Sequence, residues 1–542
     1  MSTKLFFNGD IITMENELYA ESIIVKDNRI LKVGRKDELI KYADENVELI
    51  DLNGKTLMPS FIDAHSHFSG YAYSFLQVNL SNAASFNDIS NLLKEYVEKN
   101  NLKQGEWVNA NGYDHNYLKE KKHPTKELLD EAVPNNPVVI QHQSGHLGVF
   151  NSKALEVLGI DNKSNGFFEE EAFISNLKKL PLPDMASLEE VIKKAQDVYA
   201  SYGITTMQEG IIISSLVDLM SLIINSKLLK LDLIGYVDIQ NSQQITNRLN
   251  DCIKKYNNRF KVGGYKIILD GSPQAKTAWM LEPYKDDKNG YKGEPYCEDS
   301  KLIAKISQAI NENMQVLVHC NGDAASAQYL RCYEKAINEV NTKNNIRPVI
   351  IHAQLLTKKQ LDDVKKLNMI PSFFVAHVYH WGDIHIKNLG KKRADEISIA
   401  KSAQDKGIMF TFHQDSPVIE PNMLETVWCA VNRITKKGVV LGDTERVSPL
   451  EALKAVTINA AYQYFEEDVK GSIKEGKLAD LVILDKNPLK VNPMGIKDIK
   501  VLQTLKEGEV IYSCWKSWFL SFKKEAQKPL FKILFSCIYL LI

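Results

Sequence analysis

The chain has 542 residues, with 67 Lys+Arg against 68 Asp+Glu for a formal net charge of −1, and 25% charged and 44% hydrophobic residues. That balance describes an ordinary soluble chain able to bury a large core, and it excludes a disordered chain, a collagen and a disulfide-rich mini-protein. Near-neutral charge without a basic block gives nucleic acid no electrostatic footprint, so a small molecule is the expected partner and nucleic acid is not. Its seven cysteines are scattered and odd in number, with no C-x-x-C pair, as expected of reduced thiols in a cytoplasmic protein. The amino-terminal stretch MSTKLFFNGDIITMENELYA lacks the apolar core of a signal peptide.

In chain order, residues 1–58 hold short β runs (LFFNGDIITM, AESIIVKDNRILKVG, VELIDLNGKTLMP) separated by turn signals, and read as the first part of a β-sandwich. A second set at 466–513 (GSIKEGKLADLVILD, VLQTLKEGEVIYS) is expected to complete the same sandwich from the other end of the chain. Between them, apolar β-branched runs alternate with amphipathic helices, the pattern of parallel βα units. Eight such strands are predicted, at 61–67, 204–210, 231–239, 265–271, 315–320, 348–354, 369–377 and 408–415. They imply an α/β fold, a (β/α)8 TIM barrel, whose first strand lies in 59–67 and whose remainder occupies 186–465. Ser187 with Glu190 reads as a capping box opening a helix that Gly203 stops, and Ser448-Pro449 with Glu451 opens another.

The interval 68–185 is too long for one βα connection, so an inserted α+β subdomain is expected there, with a helix near Phe86–Lys99 and another from about Ser152. After Ser513 the chain ends in an apolar tail, 514–542, finishing LFKILFSCIYLLI. This run of 13 residues is short of the roughly 20 needed to span a bilayer. Two readings of the tail stand: a packed or poorly specified appendage, and an interfacial membrane anchor.

Barrel active sites lie where the strands end. Here those ends carry His65-Ser66-His67 on strand one, Lys266 within strand four, His319 on strand five, His352 on strand six and Asp415 on strand eight. Side chains alternate along a strand, so His65 and His67 share a face. Any one of these histidines alone would read as an ordinary core or surface residue. Their co-occurrence at several strand ends of one apolar scaffold reads as a site for Zn²⁺ or a similar divalent metal.

This constellation and its flanking words resemble the amidohydrolase superfamily, in particular its amidohydrolase-3 branch of YtcJ-like and N-substituted formamide deformylase-like proteins. The words are LMPSFIDAHSH, NGYDH with HPTKELLDEAVPNNPVVI, SGH with NSKAL, YGITTMQEG, YKIILDGS, VLVHCNGDAA, IIHAQLL, SFFVAHVYHWGD, FHQDSPV and GSIKEGKLADLVILDKNPL. The resemblance implies that His65, His67 and Asp415 bind one metal, that His319 and His352 bind a second, and that Lys266 bridges them as a CO₂-derived carbamate. A salt-bridged, unmodified Lys266 beside a single metal is the alternative. A metal brings bound water from a pKa of roughly 15.7 to about 7 and polarises a carbonyl, and Asp415 beside it is placed to carry the proton to the leaving nitrogen.

Other residues fill a second tier. His146 is read as a catalytic group that could hold the carbonyl oxygen, against an ordinary loop histidine. His377, His380, Trp381, Asp270 and His413 are assigned tentatively to substrate, with Asp270 and His413 also placed to orient ligands. The resemblance also carries a departure: a deaminase-type glutamate is expected three positions after the fifth-strand histidine, and this chain has Gly322 there. The reading is a metal-dependent hydrolase of non-peptide carbon-nitrogen bonds, with an N-substituted amide or formamide as substrate. Its competitors are a mononuclear amidohydrolase or deaminase and a non-catalytic scaffold. A homodimer is the oligomer expected.

Overall fold

The computed structural model describes residues 3–514 except 144–146, 162, 178, 182 and 342–343. The tail expectation falls on 515–542, outside the described residues, and no described helix is long and apolar enough to cross a membrane. The six described cysteines form no disulfide. The chain divides into two compact units: one takes the segment through Phe68 and the chain from Gln196 onward, the other is Ser69–Ala195.

In the first unit eight strands form one curled parallel sheet: Phe61–Ile62, Ile204–Ile212, Asp232–Asp238, Phe260–Ile268, Gln315–Cys320, Val349–His352, Ile370–Phe373 and Thr411–Phe412. The sheet is a (β/α)8 barrel, and its ends meet through backbone hydrogen bonds: Asp415 N–H donates to the His65 carbonyl at 3.1 Å, and His67 N–H to that of Ser416 at 2.7 Å. Ile62, Ala64, Ile234, Leu317, Val349, Ile351 and Ile370 fill its interior. Tyr236 joins them because its hydroxyl has a buried acceptor, Gln315 Oε1, at 2.5 Å.

Three sequence boundaries shift for physical reasons. The first and eighth strands are only two residues long, because the segments carrying His65–His67 and His413–Asp415 leave the ladder to build the site. Strand four starts at Phe260, five residues ahead of the expected Tyr265. A Cβ on Gly264 would lie 2.1 Å from the Gln315 carbonyl oxygen, so glycine there permits close strand approach and does not mark a turn. The helix expected from Ser187 begins at Met185, since Asp184 Oδ1 accepts the Ser187 N–H at 2.7 Å and takes over the cap.

Two sheets make the sandwich. One is built from Arg29–Gly34, Ser22–Lys26, Thr3–Phe7 and Glu48–Asp51; the other combines both chain ends, with Leu481–Leu484 antiparallel to Thr56–Pro59. Phe6, Ile23, Val25, Leu57, Leu481, Ile483 and Leu505 form their shared core. The inserted unit has a five-stranded sheet, in the order Phe167–Glu169, Leu147–Phe150, Val138–His142, Val108–Tyr113 and Val78–Asn79. Its helices Phe86–Lys99, Lys126–Ala132 and Ser152–Leu158 are capped by the side chains of Ser85, Thr125 and Asn151 respectively.

At the amino-terminal end of the barrel strands, four carboxylates and four cations tie barrel to sandwich. Asp232 Oδ2 holds Lys470 at 2.5 Å and Lys506 at 2.9 Å; Lys506 also reaches Asp480 at 2.8 Å, Lys470 reaches Glu466 at 3.0 Å, Lys261 pairs with Glu466, and Arg259 bridges Asp232 and Glu507. Burial alone would raise the Asp232 pKa, but Lys470 and Lys506 hold it well below the ordinary carboxylate value. The linked stabilisation is therefore complete above about pH 4 and fades only as pH falls further. Asp232→Ala leaves two buried ammonium groups short of a partner, which should cost about 3–5 kcal/mol. Urea unfolding of the full chain followed by circular dichroism checks this; an unchanged midpoint would show that the network contributes nothing net.

Candidate active site

The barrel closure puts His65, His67 and Asp415 side by side. Asp415 Oδ1 lies 3.5 Å from His65 Nε2 and 3.4 Å from His67 Nε2, and it is a buried oxygen without a hydrogen-bond partner. Asp415 Oδ2 stands 3.9 Å from His352 Nε2. The His319 and His352 rings meet edge to face at 4.5 Å, and Lys266 Nζ is 3.0 Å from His65 Nε2. Five strand ends thus deliver all six expected ligands to one place.

Hydrogen bonds to Nδ1 orient each ring. Tyr464 Oη donates to the Asp63 carbonyl, so it accepts from Gln208 Nε2, which also donates to the Ala64 carbonyl. Gln208 Oε1 is thereby the atom facing His65 Nδ1 at 2.5 Å, and it can only accept. His65 therefore carries its proton on Nδ1 and presents a lone pair on Nε2. In the same way His319 Nδ1 lies 3.1 Å from Asp270 Oδ1. His352 Nδ1 lies 3.1 Å from His413 Nε2, and His413 Nδ1 lies 2.8 Å from Ser372 Oγ. Burial first, then neighbouring positive groups, push the pKa of His65 and His352 well below the ordinary histidine value, and burial brings His413 to about 3, so these rings are neutral.

Burial would raise the Asp415 pKa, but His67, His413 and Lys266 hold it below the ordinary value, leaving a carboxylate. Burial also brings Lys266 down to about 7. Strain collects at the same spot: His352 (φ 71°), Ala353 (φ 45°) and Asp415 (φ 57°) are left-handed. An orphaned carboxylate oxygen facing two histidine ring nitrogens at these separations fits a divalent transition-metal ion.

Residues 48–512 match the Amidohydrolase family. The chain belongs to that family. The Bacillus subtilis protein YtcJ is 26% identical over 94% of this chain and 99% of its own. An N-substituted formamide deformylase of Arthrobacter pascens is 24% identical over 94% and 98%. The crystal structure of an uncharacterized metal-dependent hydrolase from Pyrococcus furiosus superposes with a TM-score of 0.76 at 26% identity, covering 90% of this chain and all of that one. This amidohydrolase is therefore a metal-dependent enzyme, a hydrolase of carbon-nitrogen bonds.

The second-tier residues divide. Asp270 is saturated by donors: Oδ1 by His319 and the Asn321 N–H, Oδ2 by the N–H groups of Gly322 and Trp279. It and His413, which lies between His352 and Ser372, are buried and contact the rings of His319 and His352 respectively. His377 is buried with Nδ1 3.0 Å from His385 Nε2, and His380 Nε2 is 2.9 Å from Glu425 Oε1. Trp381 packs on His377 and Phe374 and stays half-buried. His146 lies outside the described residues. Position 322 has no room for a deaminase-type glutamate, as a Cβ there would sit 1.8 Å from the Trp279 carbonyl oxygen.

Sequence reasoning left out Gln208, Ser372 and Glu209, a buried carboxylate 4.0 Å from His67 Nδ1. The only available signal was polar residues inside an apolar strand. Gly210 explains itself in the structure: a Cβ there would meet His65 Cε1 at 2.6 Å and His67 Cε1 at 3.0 Å. Gly210→Ala should displace both rings and weaken metal retention by about 10–100-fold without unfolding the barrel. Competition with a chelator measures this; wild-type retention would mean the rings do not hold the ion.

Proposed function

We propose that this enzyme hydrolyses N-substituted formamides or closely related N-substituted amides, releasing the short acid and the amine. The observation that carries the reading is the unpartnered Asp415 Oδ1 facing His65 and His67 at the carboxyl-terminal mouth of the barrel. His65, His67 and Asp415 would hold one zinc-like cation, with His319, His352 and a carboxylated Lys266 available for a second. When bound, such a cation polarises the substrate carbonyl and makes hydroxide available near neutral pH.

The chain's own groups supply the rest. Asp415 holds a proton at Oδ and returns it to the departing nitrogen, within the reach a general base and acid requires. Gln208, Asp270 and His413 each engage the Nδ1 of one imidazole and so orient the rings with Nε2 towards the site, where Lys266 meets that of His65 and Asn321 that of His319. Lys266, with its pKa near 7, has a substantial neutral-amine population, the form that attacks CO₂ to give a carbamate and a proton. The formamide class is supported by the Arthrobacter relative, and Gly322 counts against ring deamination. Half-buried Trp381 offers an aromatic surface for the substituent on nitrogen.

Three measurements test the proposal. A panel of N-alkyl and N-aryl formamides and acetamides should release formate most readily, with loss of activity on chelation and recovery with zinc; ammonia from heterocycles with no formate release would favour the deaminase reading. Asp415→Asn should lower kcat by at least about 10³-fold in a folded protein. Lys266→Ala should lower the metal held by the barrel and regain part of its turnover with added short carboxylates. Unchanged metal content and no rescue would remove the carbamate.

A further inference from the structure

The inserted unit brings together a second group of ligand atoms by a different route. Its strands Val108–Tyr113 and Val138–His142 run parallel, with Tyr113 opposite His142, so both chains leave the sheet at the same edge. Register slips between Asn111 and Tyr113, where Gly112 takes φ 89° and leaves 3.3 Å between its Cβ position and the Ser81 nitrogen. That bulge sets the next two residues, Asp114 and His115, beside His142.

Three atoms converge there. His115 Nδ1 and His142 Nε2 are 3.2 Å apart, and Asp114 Oδ1 is 3.6 Å from the latter and 3.8 Å from the former. An ion with four tetrahedral ligands at zinc bond lengths separates them by about 3.4 Å. From this geometry we propose that Asp114, His115 and His142 form a second metal site, in the inserted unit, for a zinc-like divalent cation.

The chemistry of the donors selects the ion. Two imidazoles and one carboxylate suit Zn²⁺ or Co²⁺, whereas Ca²⁺ and Mg²⁺ take oxygen ligands. Three protein ligands leave a fourth position for solvent or a small anion. The surroundings hold the donors in place. Asn116 donates to Asp114 Oδ1 from its backbone N–H at 2.8 Å and its Nδ2 at 3.0 Å. The His115 ring packs against His123 at 4.1 Å, and His123 Nδ1 is 3.2 Å from Tyr113 Oη. A direct hydrogen bond between His115 and His142 is the competing account. It uses one lone pair, and leaves Asp114 Oδ1 facing both rings from beyond hydrogen-bond reach.

The site shares no ligand with the barrel, so its test is run where the barrel cannot contribute. In the full chain carrying His65→Ala, His319→Ala, His352→Ala and Asp415→Asn, which removes ligands of both barrel positions, cobalt titration followed by visible absorption and metal analysis should give one tightly held equivalent per chain with ligand-field bands. Adding His115→Gln and His142→Gln should abolish the bands and weaken cobalt binding at least 100-fold, with circular dichroism unchanged. Asp114→Asn, which keeps the shape and contacts of the side chain, should weaken it about tenfold and serves where the double replacement perturbs the fold. No cobalt uptake by the barrel-silenced chain, or full uptake after either replacement, overturns the assignment.

Discussion

Two backbone hydrogen bonds, from Asp415 to His65 and from His67 to Ser416, are the constraint on which this enzyme turns. They join the last strand of the barrel to the first, and the residues that make them are those carrying the proposed metal ligands. Fold closure and site assembly are therefore one event. A barrel that failed to close would have His65 and His67 on one edge and Asp415 on the other, with the whole sheet between them. This also accounts for the very short ladders of the first and eighth strands: beyond two residues, each segment pairs with the other across the seam at the site.

The two ends of the barrel treat charge in opposite ways. At the amino-terminal end, carboxylates and cations are matched in number and pinned to one another, and the network joins barrel to sandwich. At the carboxyl-terminal end, the buried imidazoles of His65 and His352 are kept neutral, neighbours orient the rings through Nδ1, and an aspartate oxygen is left without a hydrogen-bond partner. One arrangement satisfies its charges internally and adds rigidity. The other keeps lone pairs available in a dry setting, where an incoming cation meets little competition from solvent.

The barrel was legible because its eight strands are continuous apolar runs buried on both faces, and its ligands because they stand at the ends of those runs. What sequence left hidden depends on three-dimensional neighbours. Gln208 looks like any polar residue in a strand until Tyr464, far along the chain, fixes which way its amide faces. Asp270 lies four residues after Lys266, which suggested a partner for a ligand, but the sequence does not show that backbone N–H groups from two separate loops surround it. The glycines at 210, 264 and 322 each mark a place where another chain segment comes too close for a side chain, which only the folded chain shows. In the inserted unit, NGYDH was visible as a word, but only the parallel register brings its Asp114 and His115 beside His142.

The composite sandwich bears on how the protein is made. Thr56–Pro59 finds its antiparallel partner in Leu481–Leu484, more than four hundred residues later. During synthesis the first strands of that sheet emerge early and wait, with an apolar face and an unpaired edge, until Leu481–Leu484 has left the ribosome. Such long-range pairing is slow and exposes sticky surface in the interval. Production of this enzyme should therefore be more sensitive to translation speed and chaperone supply than its native packing alone would indicate.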